Sequence, residues 1–86
     1  RKGYTLDTDV KHPSHYADYP IEPIVFIMEN ELSFHVGNII KYVCRAGNKK
    51  YEGKSFAESE VADLKKAMRY AEMRINQIEG KDIIDG

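Results

Sequence analysis

One stretch gathers most of the groups able to hold an anion. Gly37-Asn38-Ile39-Ile40-Lys41-Tyr42-Val43-Cys44-Arg45-Ala46-Gly47-Asn48-Lys49-Lys50 places a carboxamide, ammonium groups and a guanidinium near one end of a predicted helix. A guanidinium offers phosphoryl oxygens a bidentate fork, and an ammonium offers a mobile point charge. Phe34, Asn38, Lys41 and Arg45 recur at helical spacing and share one side, whereas Val36, Ile39, Ile40 and Val43 turn elsewhere and are expected to face a core. Gly37 and Asn38 are poor helix formers, each costing up to about 1 kcal/mol against Ala, so something other than propensity keeps them there. The plainer account of Lys41 and Arg45 is that C-terminal cations complement the helix dipole, worth about 0.3 to 1 kcal/mol each. Ligand contact is the expectation preferred here, because Asn38 shares their face. On that reading Arg45→Ala abolishes ligand binding and leaves the melting temperature nearly unchanged.

Other reactive side chains are scattered. His12 and His15 are three residues apart, but one distant cysteine does not complete a metal site, so anchoring of the chain or hydrogen bonding to phosphate is expected, and no metal. Tyr16 and Tyr42 either stack on a base or pack internally, and both readings stay open. Glu60 and Asp63, one helical turn apart, could hold a magnesium ion if the protein is catalytic, although pairing with nearby lysines is the simpler fate. No cofactor is certain. His35 is expected to be structural, Lys65 solvated and Tyr70 packed.

Three helices must position these groups. A short one begins near Pro23, at the first-turn position that tolerates proline, and runs to Asn30. A middle helix starts after Ser33 as N-cap and ends at Gly47. A long third helix opens with the capping box Ser55 and Glu58, closes at Gly80, and carries the stripe Val61, Leu64, Met68, Ala71, Ile75 and Ile78, expected to face the core. No segment alternates long enough to make a strand. The fold class is all-α: a small three-helix domain with an ordered, extended N-terminal arm, organised as arm 1–20, helical core 21–80 and tail 81–86.

The balance of charge narrows the ligand. A formal net charge of −1 over 86 residues argues against general nucleic-acid binding, which needs a broad basic surface. Residues 37–54 nevertheless carry five basic and one acidic side chain, against three and six in residues 1–36. That local excess fits a small polyanion. A domain of this size buries only about 60% of its unfolded surface, so a homo-oligomer is expected. The first residue is Arg1, which reads as a trimmed or processed end, and no apolar stretch is long enough for a membrane span or signal peptide. The single Cys44 forms no internal disulfide and fits a reducing compartment, so the expected location is cytoplasmic with no membrane partner.

Several motifs in order carry a resemblance: His12-Pro13-Ser14-His15-Tyr16, Ile21-Glu22-Pro23-Ile24, Gly37 to Tyr42 with Arg45-Ala46-Gly47 and Lys49-Lys50, then Asp63-Leu64-Lys65-Lys66-Ala67 and Tyr70. Together, over roughly residues 12–79, the chain resembles the SaV-like family of bacteriophage proteins, long filed as a domain of unknown function and similar to the C-terminal part of a phage nucleotide kinase. The resemblance implies nucleotide handling by a phage or prophage protein in the host cytoplasm. It also implies nucleotide contacts from His12, His15, Tyr16, Asn38, Lys41, Tyr42, Arg45, Lys49, Lys50 and Lys65. No Walker-type glycine loop is present, so kinase activity would need an unorthodox phosphate site. The alternative is a non-enzymatic sponge that sequesters a nucleotide signal of antiphage defence. An all-α pyrophosphohydrolase ranks last, since Glu60-x-x-Asp63 has no second acidic pair to complete a magnesium site.

Overall fold

The computed structural model describes residues 19–86, and across them the chain forms helices and no strand. The all-α class is therefore observed. Of the predicted arm 1–20, only Tyr19 and Pro20 lie within the described residues. The first helix, α1, spans Pro23–Glu29, with Pro23 in its first turn. Asn30 closes it, and Glu31 at φ 53° reverses the chain so that the Leu32 N–H reaches the Ile27 carbonyl at 3.1 Å.

The second helix, α2, spans Phe34–Arg45. Ser33 occupies the N-cap position but makes no side-chain cap bond; its Oγ lies 3.2 Å from His35 Nε2 instead. The last helical residue is Arg45, and the chain turns at Gly47 as expected. Ala46 swings to an extended conformation (φ −57°, ψ 127°), and Gly47, at φ 86°, supplies the left-handed turn. Gly37 owes its place to packing. A Cβ there would sit 2.9 Å from Ile27 Cγ2, so the missing side chain is what lets α1 and α2 meet closely.

The third helix, α3, spans Phe56–Ile78, and both of its ends match the sequence reading. Ser55 Oγ accepts from the Glu58 N–H at 3.0 Å, while the Glu58 carboxylate accepts from the Ser55 N–H at 2.8 Å. At the far end, the Lys81 N–H reaches the Asn76 carbonyl and the Gly80 N–H the Gln77 carbonyl, with Gly80 at φ 75°. These two bonds make a Schellman cap. The tail 81–86 then folds back along α3, held by Asn76 Nδ2 on the Ile83 carbonyl and Arg69 Nη2 on the Ile84 carbonyl.

The core departs most from expectation. Among the described residues the buried hydrophobic side chains are Val25, Ile27 and Ala67. The stripe predicted to fill the core is exposed: Val61, Leu64, Met68, Ile75 and Ile78 all face outward, Met68 at 70%. Val36 and Val43 of α2 are exposed as well. What α3 buries towards α2 and the loop after it is Ser59 and Asp63, both at 0% exposure, and then Ala67, whereas Asn76 is buried under the folded-back tail. The physical reason lies in the partners available. Among the described residues a twelve-residue α2 covers only one side of a 23-residue helix, and the short α1 packs on α2. The covered side is fixed by the charged and aromatic groups of the α2–α3 seam.

Candidate functional site

The seam is built around Asp63. At this position α3 points a carboxylate into the α2–α3 contact, and the last turn of α2 answers with Arg45. Arg45 Nε and Nη2 donate to Asp63 Oδ1 at 3.3 and 3.2 Å, with the side chains 13% and 0% exposed. Tyr51, from the α2–α3 loop, donates its hydroxyl to the same oxygen and accepts from Arg45 Nη2 at 2.5 Å. Lys66, one turn beyond Asp63, donates to the Tyr51 hydroxyl at 3.0 Å. The loop itself is pinned by Ser59, whose Oγ accepts from the Tyr51 N–H and donates to the Ser55 carbonyl, both at 2.8 Å. Asp63 Oδ2 is buried with no hydrogen-bond partner. Such an acceptor costs about 1 to 3 kcal/mol when dry.

Around this pair the cations converge on two tyrosine rings. Lys41 Nζ and the Arg45 guanidinium lie 4.8 and 4.7 Å from the centre of the Tyr42 ring. Lys66 Nζ lies 5.3 Å from Tyr42 and 4.6 Å from Tyr51, and Lys49 Nζ lies 5.4 Å from Tyr51. Each contact of this kind is worth about 0.5 to 1 kcal/mol where solvent reaches it. Four positive charges are thus gathered around the carboxylate of Asp63, and Lys66 among them is exposed.

The aromatic line continues away from the cations. Tyr42 stacks on Tyr70 at 5.7 Å and 18°, and Phe34 meets Tyr70 edge-on at 5.9 Å. Tyr42 thus stacks on Tyr70 while its ring also meets the cations. Beyond Tyr70 opens a cleft of about 370 Å³ lined by Phe34, His35, Tyr70, Arg74, Gln77 and Ile83. That size is typical of a small-molecule pocket.

Of the residues singled out from the sequence, Lys41, Tyr42, Arg45 and Lys49 come together here. Asn38 does not join them through its side chain, which bonds to the Phe34 carbonyl of its own helix at 2.8 Å. Lys50 is exposed, and Lys65 lies in a groove beside Ala57 and Val61, away from the tyrosines. His12, His15 and Tyr16 lie outside the described residues. Sequence reasoning missed Tyr51 and Lys66. Lys66 follows Asp63 by three positions and so shares its face, a signal that was available; Tyr51 sits in an aperiodic loop and gave none.

Of Glu60 and Asp63, which could hold magnesium only in a catalytic protein, Asp63 is committed to Arg45 and Tyr51, not to a lysine, while the Glu60 carboxylate lies over Gly47. Among the described residues no group of three His, Cys, Asp or Glu side chains is placed to hold a metal ion. Cys44 is half-buried, and desolvation pushes its thiol above the ordinary value. No helix among the described residues is long and apolar enough to cross a membrane.

No curated protein and no solved structure matches the chain. A family model does match, over residues 10–72, and those residues contain α1, α2, the tyrosine loop and every member of the Arg45–Asp63 cluster. The chain belongs to that family, DUF3310, whose description is a protein of unknown function.

Proposed function

We propose that the protein binds a nucleotide, with phosphates at the lysine end of the seam and the base towards the Phe34–Tyr70 cleft. The observation that carries this reading is the convergence of Lys41, Arg45, Lys49 and Lys66 on the rings of Tyr42 and Tyr51. Arg45 is spent largely on Asp63, so the lysines are the phosphate ligands and Arg45 holds them in place. Aromatic edges and faces at Phe34 and Tyr70 suit a base, and Arg74 and Gln77 supply donors at its rim. The resemblance of its motifs to SaV-like phage proteins and to the C-terminal part of a phage nucleotide kinase supports the same ligand class, in the cytoplasm of a phage-infected host, and the small size of the domain supports a homo-oligomer.

Binding is better supported than phosphoryl transfer, because Asp63, the carboxylate nearest the cations, is engaged with Arg45 and Tyr51. The same engagement favours the second reading, a sponge that sequesters a nucleotide signal and releases it unchanged.

Calorimetry with ATP, deoxynucleoside monophosphates and cyclic nucleotides tests the proposal. Lys66→Gln and Lys49→Gln are each expected to weaken binding about tenfold or more at low salt, with helicity unchanged, as the loss of a charge-assisted hydrogen bond implies. Millimolar affinity for every nucleotide, or equal affinity of both variants and the wild type, overturns it. Incubation with ATP and each monophosphate then separates the two readings: transfer of phosphate supports the kinase, and recovery of intact ligand after denaturation supports the sponge.

A further inference from the structure

The apolar stripe of α3 has no cover among the described residues, and its spacing carries more information than exposure alone. Ala57, Val61, Leu64, Met68, Ala71, Ile75 and Ile78 follow one another by four, three, four, three, four and three positions. That is a heptad seam, with Val61, Met68 and Ile75 at one core position and Ala57, Leu64, Ala71 and Ile78 at the other. β-Branched residues at the first set and leucine at the second favour parallel two-stranded pairing, and Val61, Ile75 and Leu64 fit that pattern. At 100° per residue the stripe is centred roughly a third of a turn away from the line Ser59, Asp63, Ala67 that packs on α2. The two contacts therefore do not compete for the same side of the helix.

We infer that this face is the interface with a second copy of the chain, the two α3 helices lying side by side, parallel and in register. Charge complementarity names the occupant. Glu60 and Arg74 edge the stripe on one side, and Lys65, Glu72 and Glu79 edge it on the other. In the parallel register, Glu60 comes opposite Lys65 of the other copy, and Arg74, bonded to Gln77 in the single chain, comes opposite Glu79, so no two like charges oppose, while Ala67 stays buried against α2. An antiparallel pairing that keeps the same hydrophobic layers also sets Lys65 against Glu72, but it brings Glu58 against Glu79, a like-charge contact that the parallel register lacks.

The area is sufficient. A 23-residue helix is about 34 Å long, and half the circumference of a cylinder about 11 Å wide gives roughly 600 Å² per copy. The total of about 1,200 Å² is at the lower end of stable interfaces. The inference does not rest on nucleotide binding: none of the stripe residues belongs to the cation cluster, and of the edge residues Arg74 also lines the cleft given to the base.

Mass measurement by light scattering during size exclusion, together with a cysteine cross-link, tests it on the full chain. The wild type is expected at twice the 9.9 kDa chain mass or a multiple of that. Met68→Glu, at a 70% exposed position that the single chain does not need for its own packing, is expected to give the mass of one chain with unchanged helicity. Ile78→Cys in a Cys44→Ala background, which keeps a small apolar side chain beside Pro23 and Ile40, is expected to form an intermolecular disulfide under mild oxidation, as only a parallel pair brings the two Ile78 positions together. A wild type that stays monomeric at high micromolar concentration overturns the inference. So does a Met68→Glu variant of unchanged mass, or an Ile78→Cys variant that remains unlinked.

Discussion

Replacing Arg45 by Ala gives a result opposite to the one the sequence alone suggests. The substitution leaves Asp63, fully buried, with the Tyr51 hydroxyl as its remaining donor in the cluster. Removing one partner of a buried ion pair costs about 3 to 5 kcal/mol. The lower figure applies, because Tyr51 keeps its bond to Asp63 and Lys66 keeps its bond to Tyr51. An 86-residue domain has about 4 to 13 kcal/mol to lose, and each kcal/mol moves the melting temperature of a chain this size by about 4 to 8 °C. A fall of at least about 12 °C is therefore expected. Thermal melts followed by circular dichroism at 222 nm measure it. The double variant Arg45→Met with Asp63→Leu is the control: it removes both charges and should recover much of the loss, since apolar replacements of buried pairs are often neutral. A single variant melting within about 4 °C of the wild type refutes the reasoning, and returns Arg45 to the role of a ligand group with little structural part.

Other outcomes follow from the same geometry. Gly37→Ala drives a methyl into Ile27 Cγ2; the overpacking costs about 1 to 3 kcal/mol, less the gain of about 1 kcal/mol in helix propensity, so a fall of several degrees is expected and Ile27→Leu, which removes that branch, should reverse part of it. Ser59→Ala removes the acceptor of the Tyr51 N–H and should destabilise by about 1 to 3 kcal/mol in urea melts. The Glu58 carboxyl is held below its ordinary value by the Ser55 backbone N–H and then by the Ser55 hydroxyl. Its contribution is thus present above the unfolded-state value, about 4.3, and is lost as the pH falls through the lower folded-state value; Glu58→Gln, titrated beside the wild type by melting temperature, should flatten that acid limb. Cys44, with its thiol raised by burial, should alkylate with iodoacetamide more slowly than free cysteine at pH 8, and a faster rate contradicts the burial.

Local grammar was legible in the sequence wherever one residue type answers one backbone need. Pro23 at a first turn, Ser55 with Glu58, and Gly80 beyond the last turn each state a helix boundary, and each lies where the spacing put it. The stripe on α3 was read correctly as a stripe and wrongly as the core. Periodicity shows that a face is apolar, but not which neighbour has surface enough to cover it. Asp63 was read as a solvated carboxylate among lysines, because its buried partner comes from a different helix 18 positions earlier. Lys65 and Lys66 stand side by side in the sequence, and a 100° turn of the helix sends only the second to the tyrosines.

The bond between Arg45 and Asp63 joins the last turn of one helix to the third turn of another, at the centre of the lysine cluster. Selection acting on ligand preference is therefore not free to exchange this arginine, because the change would be felt first as a loss of folded protein. Diversity of specificity among relatives should collect at the peripheral ammonium groups and at the mouth of the aromatic cleft, while the guanidinium and its carboxylate stay fixed as a pair. Comparison of many such chains would expose this as two neighbouring zones drifting at different rates.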